Sequence, residues 1–346
     1  MSDYQKELLA QKTFKLRELL RELPPFCNTF FIAMESKSTI LTRLNYAYDL
    51  RIFFSFLINE CRIFKGKTAD TFMIADLEKV TIDDLYFYMD YLNLYENSDN
   101  KLQENGERGK ARKIACLRSF FKHYYKKGMI SQNICTLLDT PKLHEKAIIR
   151  LEPNEVADLL DMIESGEGLT EKQLQYHKKN ALRDVAIFTL FLTTGIRVSE
   201  LISININDVD FSANAFRVVR KGGNAAILYF GPETKKALWD YLEQRKSAQD
   251  YSPSSPLFTS LQGERLTVRA VENLVKKYTR SAVPLKKISP HKLRSTFGTM
   301  LYNETEDIYM VADVLGHKDV NTTRKHYATV SDDIRRRAAR AVKLRD

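Results

Sequence analysis

Ser289-Pro290-His291-Lys292-Leu293-Arg294, followed by Val314-Leu315-Gly316-His317 and then Lys325-His326-Tyr327, is the stretch on which the reading of this chain turns. Ser289 suits an N-cap and Pro290 the first helical position, so a helix is expected to begin here. His291 and Arg294, three apart, then share one face, while Leu293 and Phe297 turn toward the core. Residues 308–315 have helical spacing and stop at Gly316, a left-handed C-cap that leaves His317 just past the helix end. A short helix from Asn321 or Thr322 would carry Tyr327 about a turn and a half later. Each piece alone has a bland reading: packing for one tyrosine among seventeen, a solvated face for His-x-x-Arg, a simple cap for Gly-His. Their order, with two residues upstream, favours a site.

The chain's 346 residues have room for two domains with their own cores. Its 54 Lys+Arg against 44 Asp+Glu give a net charge of +10, which favours a polyanionic partner such as nucleic acid over a merely basic housekeeping enzyme. Cys27, Cys61, Cys116 and Cys135 all lie in the first half without Cys-x-x-Cys spacing. They read as reduced and mostly buried, the usage of a cytoplasmic chain, and not as a zinc site. The charged start lacks the apolar core of a signal peptide, and the most apolar run, 185–192, is too short to span a bilayer.

The first domain, 1–140, reads as helical. Residues 6–23 are amphipathic and stop at Pro24-Pro25. Leu50, Phe53, Phe54 and Leu57 recur at helical spacing, and Thr81 caps a helix carrying Leu85, Tyr88, Met89 and Leu92. A polar loop, 96–109, precedes a helix over 110–127 with one aromatic and aliphatic face. Its other face carries Arg112, Lys113, Lys122 and Lys126, for which phosphate contact and solvation are equally open. Residues 141–151 read as a linker.

The second domain, 152–346, begins with a helix start at Glu152-Pro153. A buried helix over 181–194 ends at Gly195, and Arg197 and Glu200 follow at i and i+3, so the carboxylate can hold the guanidinium. An ordinary surface ion pair is the alternative. Residues 216–220 and 225–230 form two β-rich runs joined by Lys221-Gly222-Gly223-Asn224, a hairpin signal that puts Lys221 at its tip or shoulder. Helices over 232–245 and 267–280 lead back to the opening stretch. The end of the chain, 331–346, is a mainly basic amphipathic helix.

Arg197, Lys221, His291-x-x-Arg294, His317 and Tyr327 thus stand in one order, and here the chain resembles the tyrosine recombinases, the integrases and Xer-type recombinases. Thr193-Thr194-Gly195-Ile196-Arg197-Val198-Ser199-Glu200-Leu201 is similar to that family's first arginine box and His291-Lys292-Leu293-Arg294-Ser295-Thr296 to its second. Leu315-Gly316-His317 and Tyr327 complete the set. The likeness extends into the first half, where Tyr46, Asp49, Leu50, Phe53 and Leu117-Arg118-Ser119-Phe120-Phe121 resemble a core-binding domain. It is nearest to the single Xer recombinases of low-GC Gram-positive bacteria, which share the Leu-Pro lead and the Arg-Lys-Gly-Gly hairpin. Tyr327 stands one residue further from His317 than in many Xer proteins, a spacing also found in phage and transposon integrases.

The resemblance implies a mainly α protein: a helical, SAM-like core-binding domain and an α+β catalytic domain with a small antiparallel sheet. It implies site-specific recombination through a covalent 3′-phosphotyrosine, either Xer-like resolution of chromosome or plasmid dimers or integration and excision of a mobile element. In that chemistry Arg197 and Arg294 fork onto the non-bridging phosphate oxygens, His317 adds a donor, and His291 takes the proton of Tyr327. Lys221 protonates the leaving 5′ oxygen, and no metal, cofactor or ATP is called for. Glu200 supports Arg197. For DNA contact the residues expected are Arg43, Arg112, Lys113, Arg118 and Lys122. The implied partners are duplex DNA and a homotetramer, with helix 331–346 folding back on its own domain or docking on a neighbour. A type IB topoisomerase and a non-catalytic DNA-binding descendant of the fold are the alternatives.

Overall fold

The computed structural model describes residues 3–97, 100–142, 144, 148–220, 223–246, 252–317, 319–321 and 323. Two compact units divide the chain, Ser2–Lys146 and Ala147–Asp346.

The first unit is helical: α1 Asp3–Arg21, α2 Cys27–Ala33, α3 Ile40–Glu60, α4 Ile82–Tyr91 and α5 Glu107–Lys126. Thr39 starts α3 by accepting the Thr42 N–H at 3.3 Å, and Thr81 and Asp84 form a reciprocal capping box at α4. On α3, Leu50, Phe53, Phe54 and Leu57 are fully buried, as their spacing requires. On α5, Leu117, Phe120, Phe121 and Tyr124 meet them. The core is largely aromatic and packs edge to face, with Phe53 on Tyr88 and Phe54 on Phe72 both at 5.2 Å between ring centres. The expected polar loop 96–109 is more structured than its composition suggests. The short strands β1 Tyr95–Glu96 and β2 Leu102–Gln103 pair antiparallel, and α5 already starts at Glu107. Both β2 side chains are exposed, so no apolar alternation marks it.

The second unit contains α6 Pro153–Ser165, α7 Glu171–Thr194, α8 Val198–Leu201, strands β3 Val209–Asp210, β4 Ala215–Val219 and β5 Ala225–Tyr229, then α9 Pro232–Lys246, α10 Val268–Ala282, α11 Pro290–Thr305 and α12 Ile308–Leu315. Helix α7 starts well before the apolar run that signals it. Its polar first half is begun by a capping box in which Thr170 and Gln173 satisfy each other's backbone N–H. Its second half, 186–192, is buried on every side among α6, α9 and α11. The sheet is antiparallel in the order β3-β4-β5, with Phe216 opposite Leu228 and Arg217 opposite Ile227. Phe216 and Leu228 face the core; Arg217 and Ile227 face out. Among the described residues no helix is long and apolar enough to cross a membrane.

Candidate active site

The site is assembled at the C-terminal end of α12. Helix α7 ends at Gly195, whose φ of 59° is the left-handed conformation that glycine adopts freely. A Cβ at this position would lie 2.4 Å from a Phe297 ring carbon and 2.7 Å from a Leu315 methyl. The end of α7 therefore touches α11 and α12 with no space between, and Arg197, two residues on, starts α8 beside them.

Arg197 is held on two sides. Its backbone N–H and one terminal nitrogen donate to the two carboxylate oxygens of Glu200, at 3.0 and 2.7 Å. Its other terminal nitrogen donates to the Gly316 carbonyl at 3.2 Å. Glu200 is buried, so the pair is shielded on the carboxylate side and open on the guanidinium side. Arg294, on α11, is 4 % exposed. Its two terminal nitrogens donate to the carbonyls of Gly195 and Leu315. A buried guanidinium needs several acceptors, and main-chain carbonyls supply them without neutralising its charge.

Helix α12 closes with Gly316 at φ 63°, and the His317 N–H folds back to the Ala312 carbonyl at 2.9 Å. The Nδ1 of His317 lies 2.8 Å from the Thr323 hydroxyl, a contact that orients the ring. His291 is exposed on the first turn of α11, on the same face as Arg294. Ser289 occupies the N-cap of α11 as expected, but without a side-chain hydrogen bond. The structure thus brings together Arg197, Glu200, Arg294 and His317. Lys221, Tyr327 and the expected helix 331–346 lie outside the described residues.

Arg220, which in the sequence marks only the start of the Arg-Lys-Gly-Gly hairpin, has a place in this site that the sequence did not suggest. This residue ends β4, and its terminal nitrogens donate to the carbonyls of Asp313, at 3.3 Å, and Val314, at 2.8 Å. Successive carbonyls from Asp313 to Gly316 are therefore covered by three guanidinium groups: Arg220, Arg294 and Arg197. The last carbonyls of a helix lack intrahelical donors and carry the negative end of its dipole, so they suit cations. Among the described residues no group of three or more His, Cys, Asp or Glu could hold a metal ion.

The five residues expected at DNA divide. Lys122 is exposed on α5. Lys113 is not a surface cation: its side chain is 4 % exposed and its ammonium lies 3.3 Å from Asp49 and 3.1 Å from the side-chain amide oxygen of Asn105. Nine residues separate it from Lys122, which at 100° per residue sets the two on opposite faces of one helix. Burial raises the pKa of Asp49 and lowers that of Lys113, in each case against the pull of the partner charge. Arg112, half-exposed, also bonds Asp49. Arg118 bonds the Cys135 and Leu138 carbonyls and the Thr140 hydroxyl, and Arg43 is mostly covered, 3.4 Å from Glu35.

Comparison with known proteins places this architecture. The model of the phage integrase family matches residues 150–333. The tyrosine recombinase XerC of Caldanaerobacter subterraneus subsp. tengcongensis is 33% identical over 346 residues, spanning 96% of this chain and 89% of that protein. The XerC of Anoxybacillus flavithermus is 27% identical, spanning 88% of this chain and 92% of its own length. In fold, the chain is similar to a XerH site-specific recombinase bound to a palindromic difH substrate in a post-cleavage complex, with a TM-score of 0.66, 17% identity, and coverage of 87% of this chain and 80% of that one. It is also similar to the Tn1549 transposon integrase in complex with circular intermediate DNA, with a TM-score of 0.63, 18% identity, and coverage of 91% and 98%. With the family model matching more than half of its length and a one-third-identical relative along nearly all of it, the chain belongs to the phage integrase family, as a Xer-type tyrosine recombinase.

Proposed function

We propose that this enzyme, which breaks and rejoins DNA strands in site-specific recombination, does so through attack of Tyr327 on a phosphate held by Arg197, Arg294 and His317. The observation that supports this most is the meeting of both guanidinium groups and the His317 segment at one helix end, from positions far apart in the chain. A phosphodiester repels an anionic nucleophile, and its oxygens gain charge as attack proceeds. Two planar guanidinium forks preset by protein acceptors stabilise that charge without reorganising. A phenol, with a pKa near 10, must lose its proton during attack, and His291 is the base we assign. Lys221 protonates the departing 5′ oxygen. The resulting phosphotyrosine bond conserves the energy of the broken one, so a second 5′-hydroxyl reseals the strand.

In this reading residues 1–140 form the helical DNA-binding half, 141–151 the linker and 152–346 the catalytic half. Lys122 and Arg112 supply phosphate contacts. Four protomers act on two duplexes, with helix 331–346 packing in its own protomer or on a neighbour, and the reaction resolves chromosome or plasmid dimers. The test is a nicked substrate that loses its resealing strand and so traps the covalent adduct. The wild-type chain should form a denaturant-resistant adduct and Tyr327→Phe none. An adduct with the phenylalanine variant would refute the nucleophile.

A further inference from the structure

Arg220 ends β4 with its main chain pinned: its N–H donates to the Asn224 carbonyl at 2.8 Å and its carbonyl accepts the Gly223 N–H at 3.0 Å. From this base its side chain reaches α12 and covers the carbonyls of Asp313 and Val314. The guanidinium lies so close over Gly316 that a Cβ there would stand 2.1 Å from its terminal nitrogen. Glycine at 316 therefore does two things: it takes the left-handed φ of 63° and it leaves room for Arg220.

The next two carbonyls, of Leu315 and Gly316, accept from Arg294 and Arg197. A guanidinium carries five N–H donors in one plane, so anchoring one terminal nitrogen sets the direction of the others. Where these carbonyls point thus sets the direction of both forks together with the Glu200 carboxylate and the Gly195 carbonyl, which hold the other terminal nitrogens of Arg197 and Arg294. The direction of the Leu315 and Gly316 carbonyls depends in turn on whether the preceding turn of α12 is held or frays. There the Asp313 carbonyl accepts the Gly316 N–H at 2.8 Å, a bond of the helix's frayable last turn, and Arg220 adds a second donor to it and one to Val314.

We propose that Arg220 is a positioning residue for strand cleavage: by clasping the Asp313 and Val314 carbonyls it holds the helix end from which Arg294 and Arg197 are aimed at the scissile phosphate. The inference rests on the phosphate role given above to those two arginines. In this proposal Arg220 acts through the end of α12, by its bonds to the Asp313 and Val314 carbonyls.

The test compares Arg220→Met, which keeps the apolar stem and loses every donor, with Arg220→Lys, which keeps one ammonium and loses the fork. Full-length proteins are assayed by single-turnover cleavage of a nicked substrate and by affinity for the same DNA. Each assay is run with an ordinary scissile phosphodiester and with an uncharged methylphosphonate. On the phosphodiester, Arg220→Met should cleave about a hundredfold more slowly at unchanged affinity, as expected when a reacting group is misplaced by about an ångström. Arg220→Lys should fall between it and the wild type. On the methylphosphonate, which has less charge for the forks to stabilise, the deficit should shrink, as it should for Arg197→Ala. A deficit of equal size on both linkages would mean a general loss of structure and would overturn the proposal. So would wild-type cleavage of the phosphodiester by either variant. If Arg220→Met does not fold, the comparison is carried by Arg220→Lys. Wild-type cleavage by Arg197→Ala would instead sink the phosphate role itself, which separates the two failures.

Discussion

Replacing Gly195 by alanine probes the contact on which the site's assembly depends. Two costs can be worked from the structure. An L-residue at φ 59° carries a backbone strain of about 1 kcal/mol. The new methyl would sit 2.4 Å from Phe297 and 2.7 Å from Leu315, both on packed helices, and such overpacking costs about 1–3 kcal/mol. The sum is roughly 2–4 kcal/mol, on the order of 10 °C in melting temperature for a unit of this size. Gly263→Ala supplies the reference: its φ is 81° but a Cβ would meet nothing within 4 Å, so it bears the backbone cost alone. Both positions lie in the second unit, as does Trp239, the chain's single tryptophan, which packs on Phe211 at 5.4 Å. Tryptophan fluorescence during urea unfolding therefore reports on the right unit. Gly195→Ala should be less stable than Gly263→Ala by about 1–3 kcal/mol. It should also cleave DNA more slowly, because the displaced Gly195 and Leu315 carbonyls are both acceptors for Arg294. Equal stability of the two variants would refute the claim that the close approach of α7 to α11 and α12 requires glycine.

Three further outcomes are expected. Lys122→Ala should weaken DNA binding irrespective of sequence and lower the slope of log affinity against log salt by about one, whereas an unchanged slope would remove Lys122 from the phosphate contacts. Asp49→Leu leaves the Lys113 ammonium buried without its carboxylate and should cost about 3–5 kcal/mol in urea unfolding, while Asp49→Leu with Lys113→Met should recover most of it. A double variant as unstable as the single one would contradict this account. Burial pushes the Asp76 carboxyl up, but hydrogen bonds from Lys67, the Met73 N–H and Lys79 outweigh it and hold the pKa at about 2, below the ordinary 3.8. A carboxylate depressed by folding stabilises above its unfolded pKa and loses that contribution as pH falls through its folded one, here between about 4 and 2. Asp76→Asn should therefore flatten the stability profile in that window, measured by urea unfolding at stepped pH, and a profile as steep as the wild type's would show that other carboxylates carry it.

Much of the architecture is written locally. Thr81 and Pro290 start their helices where they are expected, and Gly195 and Gly316 stop theirs, because a cap involves only the few residues beside it. The polar half of α7 was also legible in Thr170 and Gln173, a signal outweighed by the apolar run further along. Helical period alone separates Lys113 from Lys122: Lys113 shares its face with Leu117, Phe120 and Tyr124, which are all buried. Reading their common charge without their angle put both on the surface.

The sequence by itself thus determined the helices, their ends and the residue types that mark a recombinase. Only the tertiary structure decided what each arginine holds. The carbonyls at the end of α12 and of its cap Gly316 meet Arg197, Arg220 and Arg294 across separations of 119, 94 and 21 residues. No local pattern encodes such pairs, since main-chain carbonyls are the same at every position, and which of them lack a donor and face a guanidinium depends on where helices end and how closely their cores let them approach.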